Sequence, residues 1–239
     1  MFFSLLFPTV HSWLHDEVGI LHRDLSQRNF MCRFIDDQVY GVLMDYDISS
    51  WVYMNNSRQR VGTPPYMAQE LLKGTSAAHL YRHDIESLFY IMLLTCARHS
   101  FEPVKGEGEE NPTQRMVRLE EFPYLTWFTQ QNDEALGNEK FAFIVGKEPI
   151  KLSPDFEDFE PWLRDIRYCF SEGFKAKLEA TEEEPPQWML KGGDGFLNFV
   201  EHVPFDDDTL GGHVEYSSII RPIQYLGGEL KDLIVRYRP

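Results

Sequence analysis

The segment of residues 84–97 constrains the fold of this chain most strongly, because its apolar residues fall on all sides of a helix. They are Ile85, Leu88, Phe89, Ile91, Met92, Leu93, Leu94 and Cys96. A surface helix carries one apolar stripe, whereas a helix that is apolar all round is buried. We therefore predict that the other segments pack around this helix, and 239 residues of which 43% are hydrophobic suffice for such a core.

The residues before this helix predict another helix and a small hairpin. Val10, Trp13, Leu14 and Val18 recur at helical spacing. Pro8 suits the first turn of that helix, and Gly19 suits its end. Residues 29–34 and 39–44 are two short apolar-rich runs with a short connection, which is typical of a β-hairpin.

Most of the remaining sequence predicts helices, followed by a loop-rich tail. Residues 134–145 and 156–178 have helical patterns, and two prolines within residues 182–186 break the chain. We interpret the acidic run at residues 206–208 as solvated surface. The predicted fold class is mainly α with a small β-hairpin region.

The net charge of −15 narrows the classes of partner. It repels nucleic-acid phosphates and anionic lipids, so we expect neither nucleic acid nor a membrane as a partner. No stretch approaches about 20 unbroken apolar residues, the length of a membrane-spanning helix. The apolar residues 1–8 lack the basic residue and the cleavage site of a signal peptide. Cys32, Cys96 and Cys169 fit buried thiols in a reducing compartment, so we expect an intracellular protein of the cytoplasm or nucleus.

Residues 22–29 read HRDLSQRN and carry the first candidate site. Phosphoryl transfer needs a carboxylate that orients the attacking hydroxyl, and oxygen ligands that hold Mg²⁺ on the nucleotide phosphates. Asp24 supplies the carboxylate, and Asn29 follows at the HRDLxxxN spacing. Asp45, at the end of the second predicted strand, could share the metal with Asn29. These residues predict one charged pocket.

Further motifs follow in a defined order. Residues 62–67 read GTPPYM, in which the two prolines exclude a helix until about the methionine. The tripeptide AQE at residues 68–70 ends 25 positions after Asp45, and Asp84 follows Glu70 by 14 positions. A catalytic loop, a metal loop, an activation segment and a buried helix thus succeed one another along the chain.

This succession resembles protein kinases in order and spacing. HRDLS in place of an Asp-x-Lys loop, Asp-Tyr-Asp at residues 45–47 and HLYRHDIES at residues 79–87 narrow the resemblance to the fungal-type protein kinase family. The resemblance covers about residues 10–100. It implies the fold of a protein-kinase-like C-terminal lobe over residues 1–180, with a loop-rich C-terminal extension over residues 181–239.

The resemblance also implies roles for the candidate residues. The catalytic loop would be residues 22–29, in which Asp24, Arg23 and Asn29 form the catalytic set and Arg23 faces the activation segment. That segment would be residues 45–70. Asn29 and Asp45 would hold Mg²⁺ and, through the metal, ATP.

Two anchors are expected beside the site. Glu70 would pair with a basic residue of a later helix, such as Arg164 or Arg167, in a buried structural bridge. Asp84 is expected to cap its own helix and to accept hydrogen bonds from the catalytic-loop backbone, because a buried carboxylate needs donors. Polar residues 48–61 are expected to be the most mobile part of the motif region, and their serines, Ser49, Ser50 and Ser57, are candidate phosphosites.

Some residues depart from the kinase pattern. Ser26 stands where many serine/threonine kinases have a lysine that contacts the transferring phosphate, which predicts slower transfer. Asp47 replaces the glycine of the metal loop and Gln69 replaces a proline. His79 and His83 could face one way and bind a metal, but we favour structural histidines because no third ligand is evident.

Two short stretches imitate nucleotide-binding motifs. Residues 106–111 look like half of a glycine-rich phosphate loop but carry acids that would repel phosphate. Residues 144–147 look like an ATP-anchoring strand. Both come after the catalytic segment, so we interpret both as unrelated to ATP.

The predicted function is that of an ATP-dependent protein kinase of serine/threonine type acting on a protein substrate. Kinases place a glycine-rich loop, a lysine and a glutamate before the catalytic loop, whereas 21 residues precede His22 here. We therefore expect a C-terminal lobe without its N-terminal lobe, inactive by itself. A pseudokinase scaffold is the alternative, and a small-molecule phosphotransferase is the third reading. The oligomeric state stays open.

Overall fold

Helices provide most of the regular structure in the computed structural model, which describes residues 10–35, 38–54, 61–76, 78–104, 113–182 and 204–220. The helices are α1 (residues 10–18), α2 (Gln69–Lys73), α3 (Tyr81–Arg98), α4 (Thr126–Thr129), α5 (Asp133–Val145), α6 (Glu160–Glu182) and α7 (Tyr216–Ile220). The strands are β1 (Ile20–Leu21), β2 (Phe30–Ile35), β3 (Gln38–Leu43), β4 (Ser50–Trp51), β5 (His99–Val104) and β6 (Thr113–Arg118). The predicted class, mainly α with a small β region, is confirmed. Within the described ranges, no helix combines the length and the apolarity needed to cross a membrane.

The central helix α3 is buried along its whole length, as the sequence predicts. Of its 18 residues, 17 are buried, and Thr95 is the exception. The helix begins three residues before the predicted start because its first N–H groups find partners far away in the chain. Asp208 accepts from the amide of Tyr81 through its carboxylate at 2.7 Å and from the amide of Arg82 through its carbonyl oxygen at 3.1 Å. Helix starts need such acceptors.

The strands form three antiparallel pairs among the described residues. The predicted hairpin is confirmed as β2 and β3, in which Phe30 pairs with Leu43 and Ile35 with Gln38. The short strands β1 and β4 pair with each other. The pair of β5 and β6 was missed, because its strands are largely polar and show no alternating pattern.

Helices α1 and α5 end where the sequence predicts, whereas α6 begins and ends later, and the predicted first turn of α1 at Pro8 lies outside the described residues. Helix α1 closes in a π-turn at Gly19, whose φ of 75° is one that glycine adopts easily. The predicted start of α6 is instead a 3₁₀ helix, Pro154–Phe159. Apolar residues of α6 complete the core around α3, where Phe170 stacks on Phe89 with ring centroids 5.9 Å apart.

Residues 204–220 pack on the helical core. Leu210 and Val214 are buried, and Gly173 of α6 makes room for them, since a Cβ there would lie 2.7 Å from the Cβ of Leu210. Asp207 and Asp208 bind α3 and α6. The interpretation of residues 206–208 as merely solvated surface is therefore wrong.

Candidate active site

The catalytic loop is held by one buried carboxylate of α3. Asp84 Oδ2 accepts from the amide of His22 at 2.8 Å, and Asp84 Oδ1 accepts from the amide of Arg23 at 3.2 Å. The predicted contact of Asp84 with the loop backbone is confirmed. The predicted cap is wrong, since the residue at the start of α3 is Leu80, and Asp84 lies inside the first turn.

Two histidines complete the surroundings of Asp84. His11 Nε2 lies 3.1 Å from Asp84 Oδ2, and His79 Nε2 lies 2.7 Å from Asp84 Oδ1. Burial raises the pKa of Asp84, but His79 and His11 outweigh it and hold that pKa well below its usual value. His79 therefore binds a side chain of the fold, in line with the structural role predicted for it.

The neighbouring His83 also binds within the fold. Its Nδ1 accepts the backbone N–H of Leu80 at 2.9 Å, and its Nε2 lies 2.9 Å from the Arg82 guanidinium and 3.5 Å from Glu70 Oε2. Burial lowers the pKa of His83 to about 3. Within the described residues, no group of three or more His, Cys, Asp or Glu could hold a metal ion.

Asp24 lies between two donors. Asn29 Nδ2 donates to the carbonyl oxygen of Asp24 at 2.8 Å and lies 3.5 Å from its Oδ2. Thr63 Oγ1 donates to Asp24 Oδ1 at 2.8 Å. The Asp24 carboxylate is thus held in one orientation from both sides. Thr63 comes from the GTPPYM stretch, 39 positions along the chain.

Asp45 is placed at the same end of the hairpin as Asn29. The amide of Met44 donates to the carbonyl oxygen of Asn29 at 2.9 Å, and His22 Nε2 donates to the carbonyl oxygen of Met44 at 2.9 Å. Burial lowers the pKa of His22, which favours the neutral ring in this contact. The residue before Asp45 is therefore fixed to the catalytic loop.

Backbone strain marks two of the candidate residues. Arg23 has a φ of 73° and Asp45 a φ of 64°, values that side chains other than glycine seldom adopt. Such strain persists where surrounding contacts enforce it, and it gathers at functional sites. Asp47 is not among the described residues with positive φ, so the replacement of glycine there introduces no such strain.

Asn29 and Asp45 offer oxygen ligands of the kind that Mg²⁺ prefers. An amide that donates through Nδ2 keeps its oxygen as an acceptor, and Asp45 is an exposed carboxylate. Mg²⁺ is usually held by one or two protein oxygens together with substrate phosphates and water. These two residues fit such a site. The Ser26 side chain is buried at the turn before Asn29.

Glu70, at the end of the activation segment, belongs to an ion network rather than to a single pair. Glu70 binds Arg82, through a short contact with Nη1, and Lys177, whose Nζ is 3.0 Å from Glu70 Oε1. Asp207 binds the same two cations at 3.1 and 2.7 Å. Burial raises the pKa of Glu70, but His83 and the two cations lower it below its usual value.

The predicted pairing of Glu70 with a basic residue of a later helix is confirmed, but Arg164 and Arg167 are not its partners. Arg164 pairs with Glu160 within α6, and Arg167 donates to the carbonyl oxygen of Glu148. Helical spacing shows which face of α6 a residue occupies, but it does not show which turn of α6 reaches Glu70.

The proposed phosphosites are only partly within the described residues. Ser57 lies outside them, as do residues 55–60 as a whole. Ser49 Oγ donates to the carbonyl oxygen of Tyr46 at 2.7 Å, and the Ser50 hydroxyl oxygen is buried. Of the serines described here, Ser49 is therefore the more accessible. The acidic imitation of a phosphate loop at residues 106–111 lies outside the described residues.

Comparison with known proteins supports the kinase resemblance for part of the chain. The family model described as fungal protein kinase matches residues 9–96, a range that contains Asp24, Asn29, Asp45 and Thr63. This part of the chain is protein-kinase-like. The resemblance read from the motifs is thereby confirmed, and the kinase-like residues include Asp84 and the buried helix on which the catalytic loop is anchored.

The kinase-like chain also matches curated kinases at low identity. It is 32% identical to a probable cell cycle serine/threonine-protein kinase of Encephalitozoon cuniculi over 34% of this chain and 16% of the relative. It is 28% identical to a probable serine/threonine-protein kinase of Plasmodium falciparum over 42% of this chain and 19% of the relative. The chain is 28% identical to a mitogen-activated protein kinase kinase of Nicotiana tabacum over 71% of this chain and 40% of the relative. The chain therefore spans between 16% and 40% of the length of these relatives.

Proposed function

We propose that this chain supplies the catalytic-loop side of an ATP-dependent protein kinase of serine/threonine type. The observation that carries the proposal is the Asp24 carboxylate, held by Asn29 and Thr63 at the hairpin end that also bears Asp45. Positioning and electrostatic stabilisation provide most of the catalysis in phosphoryl transfer. A fixed carboxylate beside oxygen ligands is the arrangement that this chemistry uses.

Each candidate residue has a distinct task in this proposal. Asp24 orients the hydroxyl of a protein substrate and accepts its proton as that oxygen bonds to phosphorus. Asn29 and Asp45 provide oxygen ligands for Mg²⁺. Mg²⁺ with ATP supplies the transferable phosphoryl group, and ADP leaves. Arg23 would face the activation segment, and burial lowers its pKa.

The proposal also covers the bounds of the kinase unit, its partners and its cellular compartment. We assign residues 1–180 to a C-terminal lobe and residues 181–239 to an extension, of which residues 204–220 pack on α3 and α6. The substrate is a protein, the compartment intracellular, and neither nucleic acid nor membrane is a partner, in keeping with the charge of −15.

The test is phosphate transfer to itself and to model protein substrates, followed by mass spectrometry. It compares the 239-residue chain and any longer product of the same gene with their Asp24→Asn and Asp45→Asn forms. Asp47→Asn is the matched control, since it removes a nearby exposed carboxylate that has no assigned task. We expect transfer to fall by at least about 100-fold in Asp24→Asn and Asp45→Asn and to persist in Asp47→Asn. Transfer that is indifferent to Asp24→Asn would refute the proposal.

The same assay decides whether the 239 residues act alone. We predict no measurable transfer by this chain, because transfer requires the phosphates to be fixed in line as well as a hydroxyl to be oriented. Transfer by the 239-residue chain that disappears in Asp24→Asn would overturn this prediction while supporting the assignment of Asp24.

A kinase-like scaffold is the second candidate, and Ser26 favours it. A lysine at this position would stabilise the transferring phosphate, whereas the Ser26 side chain is buried at the turn and brings no charge. A scaffold would bind a protein partner with the same affinity in the wild-type and Asp24→Asn forms. An active kinase would instead differ from its Asp24→Asn form in transfer.

A further inference from the structure

Lys140 of α5 contacts residues 64–67 of the activation segment, although more than 70 positions of sequence separate them. Its side chain is fully buried, and its Nζ donates to the carbonyl oxygens of Pro64 at 3.0 Å, Pro65 at 3.0 Å and Met67 at 2.7 Å. A buried charge is costly unless it is paired and hydrogen-bonded. Three acceptors from one turn therefore amount to a binding site for this ammonium group.

The three contacts favour the charged form of Lys140. Carbonyl oxygens only accept, and an ammonium has three N–H donors, whereas a neutral amine has two hydrogens. Burial opposes the charge and holds the pKa of Lys140 well below its usual value, although the nearby Glu86 raises it. The Nζ also lies 4.2 Å from the ring centroid of Tyr90 and 5.2 Å from that of Trp127. Ring faces attract cations, so these contacts favour the ammonium.

The buried carboxyl group of Glu86 in α3 binds the next part of the same segment, and burial raises the pKa of that group. Glu86 Oε1 accepts from the amide of Gln69 at 2.8 Å and from the hydroxyl of Tyr90 at 2.6 Å. Tyr90 therefore contacts Glu86 through its hydroxyl and Lys140 through its ring. The backbone of residues 64–69 is thus held between two buried ionisable side chains, Lys140 on its carbonyl oxygens and Glu86 on an amide.

The turn that Lys140 binds also carries the hydroxyl that holds Asp24. The amides of Tyr66 and Met67 donate to the carbonyl oxygen of Thr63 at 2.9 and 3.0 Å. Thr63 Oγ1 in turn donates to Asp24 Oδ1 at 2.8 Å. A continuous series of hydrogen bonds therefore leads from Lys140 through the turn of residues 63–67 to Asp24.

We propose that Lys140 is a positioning residue, whose ammonium fixes the turn of residues 63–67 so that the Thr63 hydroxyl stays on Asp24. Its catalytic consequence rests on the proposed function, whereas the series of contacts exists whether or not phosphate is transferred. The fixed turn presents a constant surface to a protein substrate beside Asp24. Lys140→Met removes all three donors, keeps most of the side-chain volume and leaves buried carbonyl oxygens unpaired.

The test is the ¹³C resonance of the Asp24 carboxyl carbon, which responds to the hydrogen bond that this group accepts. It is measured in the wild type, in Lys140→Met, in Thr63→Val and in the double variant. We expect Lys140→Met to shift the resonance in the same direction as Thr63→Val, and the double variant to shift it no further than Thr63→Val. If Lys140 only stabilised α5, the shifts of the Asp24 resonance in Lys140→Met and Thr63→Val would not agree in this way.

Ile144→Ala is the matched control, because Ile144 is buried one turn further along α5 and donates no hydrogen bond from its side chain. An Asp24 resonance that keeps its wild-type position in Lys140→Met, or that moves equally in Ile144→Ala, would overturn the proposal. If Lys140→Met does not fold, Lys140→Gln is measured in the same way. Gln keeps two donors, so we expect a smaller shift in the same direction.

Hydrogen exchange and kinetics distinguish the positioning role of Lys140 from the proposed kinase function. The amides of Tyr66 and Met67 should exchange at least about tenfold faster in Lys140→Met, while the hairpin amide of Met44 keeps its rate. Equal rates in wild type and Lys140→Met would count against the positioning role. If no form of the protein transfers phosphate, the proposed function fails and the resonance still decides the role of Lys140. In an active protein, Lys140→Met should lower kcat and leave the KM for ATP unchanged.

Discussion

The catalytic loop and the turn of residues 63–67 are both anchored by a buried ion, but through opposite backbone groups. The loop presents its N–H groups to the carboxylate of Asp84, and the turn presents its carbonyl oxygens to the ammonium of Lys140. Asp84 belongs to α3, whereas Lys140 comes from α5. The position of Thr63 relative to Asp24 therefore depends on how α5 packs against the rest of the core.

Replacing the anchor of the catalytic loop should have the largest effect on stability. Asp84→Asn removes the charge and replaces one of the two acceptor oxygens by an amide donor among two buried histidines and loop amides, so we expect it to lower the free energy of unfolding by about 3–5 kcal/mol. Lys140→Met should cost less, because it removes donors only from one turn. Urea unfolding of both variants measures the difference. A loss below about 1 kcal/mol in Asp84→Asn would show that the loop has another anchor.

Adding a methyl group at Gly62 should have the next largest effect. Gly62 has a φ of 130°, and a Cβ there would lie 3.0 Å from Met67 Cε and 3.3 Å from the carbonyl oxygen of Arg23. We expect Gly62→Ala to lower the free energy of unfolding by about 2–3 kcal/mol. Gly74→Ala is the control, since Gly74 has a φ of 66° and open space around it, and should cost about 1 kcal/mol. Equal losses would mean that the turn does not close on the catalytic loop.

Acidification should weaken the start of α3 before it affects the carboxylates. Burial lowers the pKa of His83 from 6.5 to about 3, so the unfolded chain binds its proton first. The stability from His83 is complete above pH 6.5 and is lost as the pH falls toward 3. By about pH 5 this loss amounts to about 2 kcal/mol.

His83→Asn separates this effect from that of His22, whose pKa is also lowered by burial. Asn places an acceptor near the Nδ1 position and does not titrate. The slope of the free energy of unfolding between about pH 6.5 and 5 should be smaller in His83→Asn than in the wild type. Identical slopes would show that the ring of His83 is protonated at no cost in the folded chain.

The ion network at Glu70 should have the smallest effect of these sites. Lys177 is partly exposed, so we expect Lys177→Met to lower the free energy of unfolding by about 1 kcal/mol. Arg164→Met removes an exposed pair with Glu160 on the same helix and should cost less than about 0.5 kcal/mol. Thermal unfolding of both variants at low and high salt measures these losses. A larger loss for Arg164→Met would contradict the assignment of the network.

The sequence predicted those elements that depend on residues close together in the chain. Helix α3, the β2 and β3 hairpin, the ends of α1 and α5 and the grouping of Asp24 with Asn29 all follow from residues close together in the chain. It also predicted that Asp84 accepts hydrogen bonds from the catalytic-loop backbone, because the spacing of motifs placed a buried carboxylate beside it. Periodicity, turn residues and motif spacing are sufficient for features of this kind.

Only the tertiary structure decided which side chains, distant in sequence, bind the same stretch of backbone. The partners of Glu70 proved to be Arg82, Lys177 and the tail that bears Asp207, and the ammonium beneath Pro64 proved to be Lys140. A buried ion is chosen by geometry in three dimensions, since any charged residue on the correct turn of a packed helix could reach the same atoms. The sequence by itself therefore determined the order of the motifs and the central helix, and the packing of α5, α6 and residues 204–220 determined which charges hold them.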